Sequence, residues 1–156
     1  SEAPRITVRA VVDSSPEVVW GFISHCDLYA GRMPRIVESK ELSRDGDKVS
    51  CRTVLDAPWP VNKLTAVTKV TLAQKDGVYT RTWALDSGDY QINEGKWVLS
   101  PHAGGAKTMV RYETMVQPKS SVPSFIQGWA QKNGLPDMIK AVRTHAPLVA
   151  KGEGKK

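Results

Sequence analysis

The feature that most constrains this chain is a series of short β-like runs, broken by turns and followed by one long amphipathic segment. Alternating or β-branched residues fill the stretches 5–12, 36–43, 49–55, 64–72, 79–85, 90–99 and 108–116. Acidic residues with Gly46, Gly77 and Gly88 stand between neighbouring runs, as is typical of β-hairpins. The sequence therefore predicts seven strands, with those in the middle of the chain joined as an antiparallel meander.

Three other stretches predict helices. Pro16 follows residues that can cap a helix and precedes an apolar face, which predicts a short helix ending near Ser24. A second short helix over residues 27–32 has to stop before Pro34. The one long helix is predicted for residues 122–145, where apolar residues recur on one face. Gly134 and Pro136 in its middle predict a kink rather than two separate helices.

Length and composition indicate one globular domain. The chain has 156 residues, 40% of them hydrophobic and 24% charged, which is typical of a globular protein rather than of a disordered or membrane protein. No run approaches the roughly eighteen apolar residues of a spanning helix. We expect one soluble domain over residues 1–150 and a flexible basic tail over 151–156. Strand-like sequence begins near Arg5, which is compatible with the removal of a targeting peptide. Two locations are therefore left open: periplasmic or secreted, if such a peptide was removed, and cytoplasmic otherwise.

The charge pattern gives no indication of a nucleic-acid partner. The formal net charge is +6, which favours encounter with anionic surfaces. The basic residues are nevertheless scattered along the chain and accompany no nucleic-acid-binding motif. We therefore expect no nucleic-acid binding.

Potential metal-ligating and catalytic residues are few and widely separated. His25, His102 and His145 show neither metal-ligand spacing nor a catalytic motif. Cys26 and Cys51 are either two buried thiols or one disulfide, and the sequence leaves that choice open. We predict no catalytic residue, no metal and no cofactor.

Several short motifs, in their order and spacing, resemble the START-related (helix-grip) superfamily of lipid-transfer and polyketide-cyclase-like proteins. The resemblance runs from Ile6 to about His145. It rests on SPEVVW at 15–20, Tyr29 with Met33-Pro34, PWPV at 58–61, GKW at 95–97 before the Gly104-Gly105 turn, and VPSFI at 122–126 leading through Trp129 to GLP at 134–136. One departure is Asn62-Lys63, where the lipid-binding branch usually has an Arg-Asp pair.

The resemblance implies an α+β helix-grip fold, with a curved seven-stranded antiparallel sheet around the long C-terminal helix and two short helices after the first strand. It also implies that a hydrophobic small molecule, such as a lipid, is bound for transport or sensing in an internal cavity. The alternatives are a polyketide cyclase or aromatase, and a protein-interaction module of the same fold.

Candidate ligand-binding residues are the large side chains on strand and helix faces that could line such a space. Packing of an ordinary core is the competing interpretation for each of them. Trp59 differs because it lies between two prolines in a loop, where it could gate an opening or cap the sheet. The candidates are Trp59, Trp83, Trp97, Leu99, Val110, Tyr112, Phe125, Trp129 and Met138.

Arg81 is the candidate polar group of the cavity. It shares strand parity with Tyr79 and Trp83, but the sequence does not say whether that face points inward or outward. An inward Arg81 would need a carboxylate partner or an anionic ligand and would favour the cyclase alternative. Phe125 and Ile126, beside Pro123, could form an apolar entrance, which suggests transient contact with an anionic membrane surface.

Overall fold

The computed structural model describes residues 4–152, apart from the side chains of residues 129–131. Its main element is one antiparallel sheet with the strand order β1-β7-β6-β5-β4-β3-β2. The sheet contains β1 (Ile6–Val12), β2 (Ile36–Asp45), β3 (Lys48–Asp56), β4 (Lys63–Lys75), β5 (Val78–Gly88), β6 (Tyr90–His102) and β7 (Lys107–Pro118). The α+β class and the seven-stranded antiparallel sheet predicted from the sequence are confirmed.

The first helix, α1 (Pro16–Ile23), has the predicted bounds. The Ser15 side chain accepts a hydrogen bond from the Val18 amide at 3.3 Å, and Pro16 occupies the first turn. The predicted second helix over 27–32 is wrong in extent, since only a 3-10 turn at Cys26–Leu28 forms. Gly31 has a φ of 79°, a left-handed conformation that cannot continue a helix.

The C-terminal helical region has three consecutive segments. It begins with α2 (Ser124–Trp129), continues as a π-helix (Ala130–Gly134) and ends with α3 (Leu135–Ala150). The π segment lies at the predicted irregularity, where Pro136 lacks the amide hydrogen of a regular helix. The predicted end at His145 is too early, because Val149 is completely buried and extends the packed face. Of the predicted tail, residues 153–156 lie outside the described residues.

The main core lies between α1, the C-terminal part of α3 and the inner face of the sheet. Its completely buried side chains are Val12, Val19, Phe22, Ile23, Leu99, Val110, Val142, Ala146 and Val149. A smaller cluster forms around Ala57, Leu64, Ala66 and Tyr90. None of the helices within residues 4–152 has the length and hydropathy needed to cross a membrane.

A disulfide joins Cys26 and Cys51. It connects the 3-10 turn after α1 to β3, so the two cysteines form a bridge rather than two free thiols. The bridge thereby holds the first helical region against the sheet.

Candidate functional site

A cavity of about 770 Å³ lies between the inner face of the sheet and the segments of the C-terminal helix. This volume falls within the range of about 300–1,000 Å³ typical of small-molecule sites. Side chains from β3 to β7 form one side, and Ile126, Leu135 and Met138 form the other. Most of the contributing side chains are apolar or aromatic, so the cavity suits a hydrophobic ligand.

The strand register explains where the cavity ends. Inward side chains form rows across β5, β6 and β7, first Arg81, Trp97 and Tyr112, then Tyr79, Leu99 and Val110. The first row lines the cavity. In the second row Leu99 and Val110 are completely buried in the main core and do not line it. Leu99 and Val110 therefore occupy positions in the packed core, and not positions on the cavity wall as their assignment as ligand-binding candidates required.

The Trp83 indole lies against Gly95 of β6 and forms part of the cavity wall. Its indole nitrogen donates a hydrogen bond to Asn93 Oδ1 at 3.0 Å, and its ring stacks on Tyr112 with the centroids 5.7 Å apart. Gly95, its partner in the strand register, leaves the space. A Cβ at Gly95 would lie 2.7 Å from the indole and 2.1 Å from the Glu113 carbonyl oxygen. The missing side chain thus permits the position of Trp83.

Arg81 faces the cavity and is only 6% exposed. This settles the parity that the sequence left open, since Tyr79 and Trp83 are buried on the same face while Thr82 and Ala84 are exposed. The guanidinium carbon lies 5.6 Å from the Tyr29 ring centroid and 5.8 Å from that of Trp83. The site therefore contains a buried positive charge between aromatic rings.

The remaining sequence-predicted residues are divided between the wall and the surface. Met138 lines the cavity together with Trp83, Trp97 and Tyr112. Trp59 and Phe125 do not line it and are 79% and 66% exposed. Their neighbours Pro58, Val61 and Ile126 do line it, so both aromatics stand at its edge. The side chain of Trp129 lies outside the described residues.

Sequence reasoning did not name the wall residues Tyr29 and Asn93 as ligand-binding candidates, and it assigned Ile126 to the entrance rather than to the wall. Ile126 is 5% exposed whereas Phe125 is 66% exposed. Both were assigned to one broad helical face, yet only Ile126 lines the cavity. Tyr29 lies in the connection after the 3-10 turn, where no periodic pattern indicates which way a side chain points.

Three tyrosines on the wall retain their protons at neutral pH. Burial raises the pKa of Tyr29 against the smaller opposing effect of the Arg81 charge. Burial also raises the pKa of Tyr112, against the smaller opposing effects of a hydrogen bond with Thr114 and of the Arg81 charge. Burial also raises the pKa of Tyr90 to about 12. The Tyr29 hydroxyl already donates to the Ile23 carbonyl oxygen. Among the described residues the wall contains no Asp, Glu, His or Lys, so its hydroxyls act as hydrogen-bond groups rather than as bases.

A second group of polar side chains lies outside the cavity. His25, Asp27 and Glu41 present possible metal-ligand atoms close together. The Arg44 guanidinium, however, donates to both Glu41 oxygens at 2.9 and 2.7 Å, and its Nη2 lies 3.3 Å from His25 Nδ1. These contacts lower the pKa of the Glu41 carboxyl. The positive charge of the Arg44 guanidinium already occupies this position and would repel a metal cation. The cluster is therefore an ion-pair network rather than a favourable metal site.

Solved structures of low sequence identity share this fold. A STAR-related lipid transfer protein from Xanthomonas axonopodis has a TM-score of 0.79 at 20% identity, covering 92% of this chain and 85% of its own. The Zhui aromatase/cyclase from Streptomyces sp. R1128 has a TM-score of 0.75 at 14% identity, covering 97% and 98%. Human StAR-related lipid transfer protein 5 has a TM-score of 0.80 at 10% identity, covering 94% and 76%.

The sequence itself matches a described family. A search of curated proteins finds no significant match. The family model described as polyketide cyclase / dehydrase and lipid transport matches residues 12–143. This range extends from the end of β1 into α3 and includes most of the cavity wall. The chain therefore belongs to the polyketide cyclase / dehydrase and lipid transport family.

Proposed function

We propose that the protein binds a hydrophobic small molecule in the cavity and acts as its carrier or sensor. The observation that carries this proposal is the cavity of about 770 Å³ with a largely apolar wall. A closed, packed interior would instead have favoured the protein-interaction alternative. Since the site opens to the surface, a ligand can enter without unfolding of the domain.

Apolar burial supplies the binding energy in this proposal. Each ligand methylene that leaves water contributes about 0.8 kcal/mol before the costs of association are subtracted. Trp97, Tyr112, Ile126 and Met138 offer such contacts from both sides of the cavity. Selectivity among apolar ligands would then depend on length and shape, with the polar groups of the wall adding a further criterion.

The test is native mass spectrometry of the purified protein, followed by organic extraction, and titration with the neutral apolar dye N-phenyl-1-naphthylamine. We expect a co-purifying ligand or saturable dye binding at one molecule per chain. Thr53→Phe, which fills the cavity from β3, should weaken dye binding about tenfold or more, because a side chain replaces the ligand's space.

Thr82→Phe is the matched control, since Thr82 is exposed on β5 and does not line the cavity. It should bind the dye as the wild type does. An empty wild-type protein that binds neither the dye nor a panel of lipids and quinones would contradict the proposal.

A cyclase or aromatase remains the second candidate, and Arg81 is the observation that favours it. A buried guanidinium next to the phenols of Tyr29 and Tyr112 could orient the carbonyl oxygens of a polyketide during closure. The two functions differ in what happens to the ligand. A carrier releases it with its mass unchanged, whereas cyclisation with dehydration removes one water, which mass spectrometry of extracted ligand detects.

We propose in addition that the cavity edge docks transiently on an anionic membrane surface. Trp59 and Phe125 are large and exposed, and each is adjacent in sequence to one wall residue, Pro58 and Ile126 respectively. Aromatic side chains of this kind favour the interfacial region of a bilayer. The net charge of +6 would attract the protein to anionic headgroups.

A further inference from the structure

Arg81 is a buried cation without an acidic partner in the described part of the chain. Its Nε has no hydrogen-bond partner there. Its Nη2 lies 3.8 Å from the Cys51 sulfur, which is a weak acceptor. The ion pairs found among the described residues do not include it.

The surroundings of Arg81 do not compensate its charge. The Tyr29 and Trp83 rings lie within 6 Å and attract a cation through their π faces. That attraction is smaller than the cost of removing a guanidinium from water. The cavity wall contains no Asp or Glu among the described residues. The one place from which a negative charge can reach the guanidinium is the cavity itself.

We propose that the ligand is an amphiphile with a carboxylate head, and that this head pairs with Arg81 while an apolar tail fills the rest of the cavity. This inference rests on the proposed ligand-binding function and specifies the class of ligand. A guanidinium matches a carboxylate in shape and can donate two parallel hydrogen bonds to it.

The charge count favours a monoanion. The other arginine on the wall, Arg35, is exposed, and its Nε donates to the Asp56 carbonyl oxygen. Arg81 is therefore the only buried cation among the described wall residues. One carboxylate neutralises it, whereas a phosphate dianion would leave a negative charge uncompensated in an apolar site.

The position of Arg81 also sets the orientation of the ligand. The row of side chains beyond it, with Leu99 and Val110, is packed core. Exposed wall residues, in contrast, occur in the stretch from Val116 to Gln127. The carboxylate consequently lies at the closed inner end, and the tail extends between Trp97 and Met138 toward the opening.

Competition against bound N-phenyl-1-naphthylamine tests the inference with two ligands of equal chain length, decanoate and decan-1-ol. At neutral pH the wild type should prefer decanoate by about ten- to hundredfold in Kd, the effect of one buried charge-assisted interaction. Arg81→Met should abolish this preference and still bind decan-1-ol. Arg81→Lys keeps the positive charge but lacks the planar guanidinium that can donate two parallel hydrogen bonds. It should retain part of the preference for decanoate.

The matched control is Arg9→Met, which removes an exposed arginine from β1 and should keep the wild-type preference. Thermal unfolding of each variant verifies that it folds. Equal binding of acid and alcohol by the wild type, or an unchanged preference in Arg81→Met, would overturn the inference and leave the proposed function intact. Absence of dye, acid and alcohol binding would overturn both.

Discussion

Gly95 shapes the cavity through the side chain that it lacks. The indole of Trp83 crosses β6 at this position and reaches Tyr112 on β7, so three strands contribute to one aromatic surface. Any side chain here would compete with both the indole and the backbone of β7. Gly95 is therefore as much a part of the cavity wall as the aromatic residues that it accommodates.

Gly95→Ala should lower the free energy of unfolding by about 1–3 kcal/mol, because the new methyl group would clash with the Trp83 indole and the Glu113 carbonyl oxygen. It should also weaken dye binding by displacing Trp83. Urea denaturation and dye titration measure the two effects. Gly21→Ala is the control, since a Cβ there meets no atom within 4 Å and alanine favours a helix. Wild-type stability of Gly95→Ala would contradict this account.

At the residue scale, the sequence determined which side chains share a face but not which face is buried. Strand alternation placed Arg81 with Trp83 correctly, and their inward direction became known only from the packing of β5 against Tyr29 and Tyr112. In the same way, alternation grouped Trp97 with Leu99, although the cavity ends between them. The boundary between cavity and core depends on where α3 contacts the sheet, which no local pattern encodes.

At the scale of elements, the disulfide joins two parts of the chain beside the site. Cys51 lines the cavity beside Arg81, and Cys26 holds the 3-10 turn from which Tyr29 follows. The bond spans 25 residues of sequence. It thus joins β3, which supplies wall residues, to the turn directly before the wall residue Tyr29, and these two elements do not pair through backbone hydrogen bonds in the sheet.

Reduction of the protein, or the double substitution Cys26→Ala with Cys51→Ala, should lower the free energy of unfolding by about 3 kcal/mol, because a closed loop of this length restricts the unfolded chain. Urea denaturation with and without dithiothreitol measures the change. The double variant is its own control, as dithiothreitol should not affect it. Detection of two free thiols in the denatured, unreduced wild type would contradict the bridge.

Elements with strong periodicity were predicted well, and those without it were not. The fourth strand shows Leu64, Ala66 and Val70 buried on one face, as its alternation indicated. The segment over 27–32 was overestimated because Gly31 adopts a left-handed conformation that composition alone does not require. The end of α3 was placed too early, because the helix continues through Pro147 and its packed face extends to the buried Val149.

On the scale of the whole molecule, exposed aromatics and net positive charge together predict association with membranes. The protein should float with vesicles that contain phosphatidylglycerol at low salt and less so at high salt, because salt screens the electrostatic attraction. The double variant Trp59→Ser, Phe125→Ser should bind these vesicles several-fold more weakly, since burial of the two aromatics in the interface is lost. Flotation with increasing salt measures both effects.

Leu42→Ser serves as the control for the vesicle experiment. Leu42 is 48% exposed on the edge strand β2 and does not line the cavity. Its loss should leave flotation unchanged. If wild-type protein fails to float at low salt, the docking proposal is wrong, while ligand binding in the cavity stays independently testable.

The pairing of β1 with β7 has a consequence for the order of events during folding. Ile6 lies opposite Thr114, and both residues line the cavity. We expect strands so distant in sequence to pair late, because a long loop must close before the contact is gained. We therefore expect the site to be completed near the end of folding. Before β1 pairs with β7, the cavity is incomplete and offers no binding site. We therefore expect the ligand to stabilise the folded protein without guiding its folding.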